Sequence, residues 1–264
     1  KCFLAQNLGL MHLRLFYAYV LLCAPHSLVV CVVCSPVIQQ SPKHLLRRVE
    51  EKEANLSCRH GDSSYTFLYW YQQKRNGGSL ELIGMLNYGT DSEEDKFKPR
   101  FNITGHATKY AFLLISKLNA EDSAVYFCAA SLHTYFGNGT KLTVLERDVK
   151  EPEVEILKPS GIETRCKKTI TLVCVAEKFY PDHVSITWTL GDKEIKENVA
   201  TDPYATQDKT TKLFSMTSRL KVSKKEFKPK NKYRCTVNFY NGTHDISDNT
   251  DEINGIEGIS LDIN

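Results

Sequence analysis

The 264-residue chain has almost no surplus charge of either sign: 34 Lys and Arg stand against 31 Asp and Glu, a formal +3. So small an excess argues against nucleic-acid binding, which ordinarily needs a clustered basic face. The most basic stretch, 221–232, is interrupted by Glu226 and carries no aromatic stacking ladder, so it reads as a solvated edge. The chain also lacks the motifs of common catalytic centres. There is no Gly-X-Ser-X-Gly, no phosphate loop and no His-Glu-X-X-His. The eight His are scattered, and none forms a spaced metal pair with a Cys. The expectation is a protein that is not an enzyme, with no catalytic residue, no metal and no other cofactor. No long stretch repeats with a period of 3.6, which excludes a helical architecture. Beyond the first 35 residues no apolar run approaches the ~18–20 needed to span a bilayer.

What is present is a folded-protein composition, 42% hydrophobic and 25% charged, in a length that allows two domains. Residues 1–10 precede the first Met, Met11, and read as upstream sequence. After Met11 come His12 and Arg14, an apolar run over 15–24, Pro25-His26-Ser27, and a second apolar run over 28–34. A short positive region before an apolar core is the pattern of a secretory signal, here with cleavage after Ser35. The competing reading is one membrane span over 13–34, which Pro25 and His26 in mid-run disfavour. Cleavage would remove four of the nine Cys and leave Cys58, Cys128, Cys166, Cys174 and Cys235. The expected boundaries are 1–35 for upstream residues and signal, 36–146 and 147–247 for two domains, and 248–264 for a polar connecting tail that lacks its membrane span.

The body reads as many short strands. Residues 54–58 and 67–71 alternate, 170–176 and 184–190 are β-rich, and 213–222 and 232–240 alternate in part. Turn signals such as Asn76-Gly77-Gly78 and Asn241-Gly242 punctuate them. A Cys–Trp–Cys pattern occurs twice. Cys58 is followed by Trp70 and Cys128, with Tyr126 two residues before the second Cys; Cys174 is followed by Trp188 and Cys235, with Tyr233 in the same place. This is the skeleton of an immunoglobulin-type sandwich. One disulfide pins strands B and F across a core about 10 Å thick, a Trp on strand C packs on it, and a Tyr caps the corner entering strand F. The fold class is therefore all-β, two tandem immunoglobulin-like β-sandwiches bridged by Cys58–Cys128 and Cys174–Cys235. The first pair is 70 positions apart and the second 61, so the first domain has room for two extra strands, around 80–86 and the turn at Tyr88. That makes the first variable-type and the second constant-type.

Several runs carry a family resemblance. The first domain holds Trp70-Tyr71-Gln72-Gln73-Lys74, then Asp122-Ser123-Ala124-Val125-Tyr126-Phe127-Cys128-Ala129. It ends on Phe136-Gly137-Asn138-Gly139-Thr140-Lys141-Leu142-Thr143-Val144-Leu145, which resembles the joining segment of rearranged antigen receptors. The second holds Thr171-Leu172-Val173-Cys174, Phe179-Tyr180-Pro181-Asp182 and Thr217-Ser218-Arg219-Leu220. Over 36–247 the sequence is most similar to the T-cell receptor beta chains, of a fish-like vertebrate. An immunoglobulin light chain and a non-rearranging adhesion receptor of the immunoglobulin superfamily are the alternatives, and the joining segment disagrees with the second.

The variable–joining–constant order implies binding. In a variable-type sandwich the B–C, C′–C″ and F–G loops cluster at one end. Here they offer Asp62, Ser63, Ser64 and Tyr65, then Asn87 and Tyr88, then Ser131, Leu132, His133, Thr134 and Tyr135, as antigen-binding residues. Tyr, Ser and Asn suit adaptable recognition, although the same residues make ordinary hairpin tips. The third loop is short, with seven residues between Cys128 and Phe136. By resemblance Tyr71, Gln73, Phe127 and Phe136 would pair with a second variable domain, and Arg100 with Asp122 would close the bottom of the sandwich. Gly137 and Gly139 would let the last strand kink. The resemblance further implies an alpha-type receptor chain, a peptide–histocompatibility complex and associated signalling subunits as partners, at the cell surface.

One thiol is odd. Cys166, beside Arg165, Lys167 and Lys168, would be reactive if those cations lower its pKa; it pairs with another chain or stays free in a loop. Asn55, Asn102 and Asn241 head glycosylation sequons, with Asn241 the best placed. Asn138 also heads one, within the joining strand, where it is expected to be inaccessible.

Overall fold

The computed structural model describes residues 37–74, 78–131, 135–242 and 246–256, together with the strands β1 (Tyr19–Val20) and β2 (Val30–Cys31). The chain divides into two compact units, Lys1–Val37 and Ile38–Asn264. In the first, β1 and β2 pair antiparallel with Tyr19 opposite Cys31. The rest of the expected signal and its cleavage site lie outside the described residues.

The second unit holds both sandwiches. The first uses β3 (Gln39–Ser41), β4 (His44–Arg48), β5 (Glu53–Arg59), β6 (Phe67–Lys74), β7 (Leu80–Asn87), β8 (Thr90–Glu93), β9 (Phe101–Gly105), β10 (Tyr110–Ser116), β11 (Ala124–Ser131), β12 (Tyr135–Phe136) and β13 (Thr140–Leu145). One sheet has the order β3-β5-β10-β9, the other β4-β13-β11-β6-β7-β8, with β12 on the edge of β11. The two strands expected around 80–86 and Tyr88 are β7 and β8, so this sandwich is variable-type. β4 runs parallel to β13, Leu45 opposite Leu142, so the N-terminal edge strand switches from one sheet to the other.

The period of 2 in β6 explains its place. Leu68, Trp70 and Gln72 point inward and are buried, while Tyr69, Tyr71 and Gln73 point out. Trp70 joins Leu56, Ile83, Ile103, Leu113 and the Cys58–Cys128 bridge in one core. Each fully buried side chain of this size contributes about 1.5–3 kcal/mol. Gln72 is polar yet buried, and its amide donates to the Tyr126 hydroxyl at 2.8 Å. That hydroxyl donates in turn to the Asp122 carbonyl, also at 2.8 Å. Burial holds the Tyr126 phenol well above the ordinary tyrosine value, so it remains a donor.

The second sandwich uses β14 (Glu153–Leu157), β15 (Thr169–Phe179), β16 (Val184–Leu190), β17 (Lys193–Ile195), β18 (Val199–Thr201), β19 (Thr206–Gln207), β20 (Phe214–Ser223), β21 (Lys232–Tyr240) and β22 (Ile246–Asn254). Its sheets run β14-β15-β20-β18, with β19 beside β20, and β17-β16-β21-β22. Trp188 and the Cys174–Cys235 bridge lie in its core, and the Trp188 indole donates to Ser218 Oγ at 3.0 Å. The Tyr233 hydroxyl donates to the Glu226 carbonyl at 3.2 Å. A short helix, α1 (Gly161–Cys166), is capped by Ser160 Oγ, which accepts from the Glu163 N–H.

The expected domain end at 247 and tail from 248 are corrected by β22. It pairs along its length with β21, from Lys232 opposite Asn254 to Tyr240 opposite Ile246. The inward-leaning positions of β22 are Ser247, Asn249, Asp251 and Ile253, of which one is apolar, so no binary pattern marks the strand. It is held by backbone pairing, and Asp251 Oδ2 accepts the Ile156 N–H of β14 at 2.7 Å. Gly255 then donates to the Asn231 carbonyl, in a spot where a Cβ would lie 2.3 Å from the Lys228 nitrogen.

Candidate recognition surface

Two connections, 60–66 between β5 and β6 and the Tyr88-Gly89 turn between β7 and β8, sit at one end of the variable-type sandwich, together with the end of β11 and the start of β12. In the first, Asp62, Ser63 and Ser64 are exposed. Asp62 Oδ1 accepts from both the Ser64 N–H, at 2.9 Å, and the Ser64 hydroxyl, at 2.6 Å. These two bonds, the hydroxyl's first, hold the Asp62 carboxyl below its usual value, so the loop presents a fixed negative charge.

Tyr65 was expected at the loop tip but is buried, at 7% exposure. Its ring packs edge-on against His60 at 5.7 Å and against Tyr135 at 5.9 Å. It therefore supports the loops from below, joining the first to the third. Desolvation, followed by the neighbouring Tyr135, raises the Tyr65 phenol above its ordinary value. Asn87 and Tyr88 are exposed, Tyr88 at 55% with φ +52°.

The strands flanking the third loop reach further into it than expected. Ala129 pairs with Phe136 and Ala130 with Tyr135, while Ser131 lies on β11 opposite Phe67. Ser131 is thus a half-buried strand residue rather than part of the loop centre. Leu132, His133 and Thr134 lie outside the described residues.

The residues expected to pair share the outer face of the larger sheet. Phe127 is opposite Tyr71 across β11 and β6, and Val125 is opposite Gln73. Phe136 is 46% exposed, with its ring 5.6 Å from Tyr71. Tyr71 continues to Tyr69 at 6.4 Å and Tyr69 to Phe67 at 6.5 Å, so four aromatic rings form one outward row. The sequence reading missed Phe67 and Tyr69, although their alternation with Leu68 and Trp70 was the available signal. The Gln73 amide donates to the Gly78 carbonyl at 2.8 Å.

Two glycines shape this face. Gly139 has φ +85°, and a Cβ there would meet the Phe127 ring at 2.7 Å. A Cβ on Gly137 would meet Gln40 Oε1 at 2.8 Å and Cys128 Sγ at 3.3 Å. Gln40 was also missed. Its amide donates to the Tyr126 carbonyl at 2.6 Å and to Thr140 Oγ1 at 3.1 Å, and its Oε1 accepts the Cys128 N–H at 3.1 Å. One side chain thus ties β3 to β11 and β13. At the opposite end Arg100 and Asp122 make a two-pronged ion pair at 2.8 Å on each prong.

Cys166 ends α1, exposed and unbonded. Asn55 and Asn102 are exposed on β5 and β9. Asn241 is half-buried at the end of β21, and its sequon Thr243 lies outside the described residues. Asn138, expected to be inaccessible in a strand, is exposed in the break between β12 and β13, where β11 pairs with each separately. Among the described residues no cluster of three His, Cys, Asp or Glu could hold a metal ion, and no helix is long and apolar enough to cross a membrane.

Residues 40–145 match the immunoglobulin V-set domain and residues 154–241 the immunoglobulin C1-set domain. Over 217 residues the sequence is 34% identical to a viral T-cell receptor beta chain-like protein of feline leukemia virus, covering 77% of this chain and 67% of that protein. The chain belongs to the T-cell receptor beta-chain family. Its second domain is 39% identical over 95 residues to the C region of the T-cell receptor beta-2 chain of Mus musculus, covering 36% of this chain and 54% of that one. It is 38% identical over 102 residues to the C region of the T-cell receptor beta chain of Oryctolagus cuniculus, 37% of this chain and 58% of that one. The chain thus spans a little over half the length of these constant-region relatives.

Proposed function

We propose that this beta-type chain is the antigen-recognition subunit of a heterodimeric receptor at the cell surface. It pairs through the Phe67–Tyr69–Tyr71–Phe136 row with an alpha-type chain. It reads a peptide–histocompatibility complex with the loops at the end of the same sheet, and signals through associated subunits. The observation that carries this reading is the exposed Phe136 ring packed on Tyr71, the open end of an aromatic row beside the loop end. Exposed aromatic rows of this kind mark protein interfaces, where aromatic anchors each contribute about 2 kcal/mol. The first loop carries a fixed carboxylate, Asp62, above the packed Tyr65 ring, which suits recognition of a mixed peptide and protein surface.

The test is co-expression of the full chain with an alpha-type chain. Tyr71→Ala with Phe136→Ala is expected to cut recovery of the heterodimer at least tenfold. Exchanging residues 62–64, 87–88 and 131–135 for those of another beta chain is expected to change antigen choice and leave pairing intact. Undiminished pairing in the double variant, or antigen choice indifferent to all three loops, overturns the reading.

A further inference from the structure

The outer face of the smaller variable-type sheet carries an arrangement the recognition surface does not use. On β10, Leu114 is opposite Asn55 of β5 on one side and Asn102 of β9 on the other. Two residues along, Phe112 is opposite Ser57 and Thr104. Directly opposed residues of an antiparallel pair share a face. The two sequons Asn55-Leu56-Ser57 and Asn102-Ile103-Thr104 therefore lie side by side, in register, with one strand between them. Their middle residues, Leu56 and Ile103, are fully buried. Period 2 thus turns both Asn and both hydroxyl residues outward together. At strand spacings of about 4.8 Å, the two Asn backbones stand about 10 Å apart.

Between and beside them runs an apolar strip, Leu114, Phe112 and Tyr110. Tyr110 is 50% exposed, and its ring stacks on Phe112 at 6.4 Å. Arg59 crosses the end of the strip, with its guanidinium 5.1 Å from the Tyr110 ring and bonded to the Tyr110 hydroxyl at 3.1 Å. Leu114 and Phe112 are half-buried beside the exposed Tyr110, and contiguous apolar surface of this kind marks a place where another group packs.

We propose that Asn55 and Asn102 both carry N-linked glycans on the same molecule, and that their first sugars cover the Leu114–Phe112–Tyr110 strip. The donor is a lipid-diphosphate-linked oligosaccharide. Each Asn Nδ2 forms a bond to C1 of the reducing-end N-acetylhexosamine. The C1–O bond breaks, the diphosphate leaves with the electron pair, and the amide gives up one proton. Transfer occurs on the extended chain, and the strands then close with both glycans pointing outward. The sugars' C–H faces lie on the aromatic rings, and their hydroxyls face water. This face is thereby closed to protein partners, leaving the opposite sheet as the pairing face. The inference needs passage through the secretory route and does not depend on which antigen the loops read.

The test uses the full chain secreted from glycosylating cells. Enzymatic deglycosylation in heavy-oxygen water converts each occupied Asn to a labelled Asp. Labels at both 55 and 102 in single molecules are expected by intact mass and peptide mapping. Asn55→Gln and Asn102→Gln should each remove one glycan's mass. Removing the glycans from the folded, unmutated chain should raise binding of an apolar dye several-fold, and Phe112→Thr should abolish most of that rise. An unmodified Asn55 or Asn102, glycans that never share a molecule, or dye binding unchanged on their removal overturns the proposal.

Discussion

Thr143, on the last strand of the variable-type sandwich, and His183, just before β16 of the constant-type one, are joined by a 2.8 Å hydrogen bond shut off from water. The bond lies in a junction of several parts. Lys141 donates to the Asp182 carbonyl at 2.7 Å and lies 3.2 Å from its carboxylate. His44 packs on His183 at 5.1 Å and on Tyr240 at 5.4 Å. The Tyr180 hydroxyl accepts the Glu146 N–H at 3.1 Å, and Gly242 sits against Leu46. His183→Ala leaves the Thr143 hydroxyl buried without this partner. A loss of about 1–3 kcal/mol is expected. Urea unfolding should read that loss, and small-angle scattering should show a looser angle between the sandwiches.

The same junction makes stability depend on pH. Burial first, then Lys43 and Lys141, lowers the His44 pKa from 6.5 to about 4. Unfolded, the ring takes a proton below about 6.5; folded, it stays neutral until about 4. The unfolded state therefore binds more protons between these values. The contribution is fully present above 6.5 and declines as pH falls towards 4. His44→Gln should flatten the urea midpoint over this window relative to the parent chain. A parallel decline in both proteins would assign the effect to other groups.

Arg100 and Asp122 close the base of the first sandwich. Asp122 is 2% exposed, and it also accepts the Asn119 N–H through Oδ2 at 3.0 Å. Removing the cation strands a buried carboxylate, so Arg100→Ala should cost about 3 kcal/mol. Arg100→Lys restores charge without the two-pronged geometry and should recover part of that loss. Thermal unfolding of the three proteins gives the order.

Gly139→Ala puts a Cβ into the Phe127 ring at a left-handed backbone position. A cost of about 1–3 kcal/mol is expected from the backbone and overpacking together. Because Phe127 lies on the face proposed to pair, recovery of the heterodimer should fall further than stability alone explains. Comparison with an equally destabilised core variant separates the two effects.

Much of this arrangement is legible in the residues alone. The Cys–Trp–Cys–Tyr skeleton, the extra strand pair and the Phe-Gly-X-Gly kink each leave local, regularly spaced marks. Tyr65 does not, because a Tyr at the sixth position of a seven-residue loop looks like any exposed tip; its burial depends on Tyr135, far away in sequence. β22 escapes because an edge strand held by backbone pairing needs few apolar side chains. Gln40 escapes because a single amide bridging three strands has no period.

Residue pattern by itself determined the class of fold, the two disulfides and the order of domains, which follow from spacing and binary alternation, properties of neighbouring residues along one polypeptide. The family was legible in the resemblance of particular runs, the Phe136–Leu145 joining segment above all. The tertiary structure alone decided which loop residues face outward, how the two sandwiches are locked through His44, Thr143 and His183, and that two sequons flank one apolar strip. Those are juxtapositions of residues from separate strands. They depend on sheet register and packing, in which each contact is chosen by many distant residues at once.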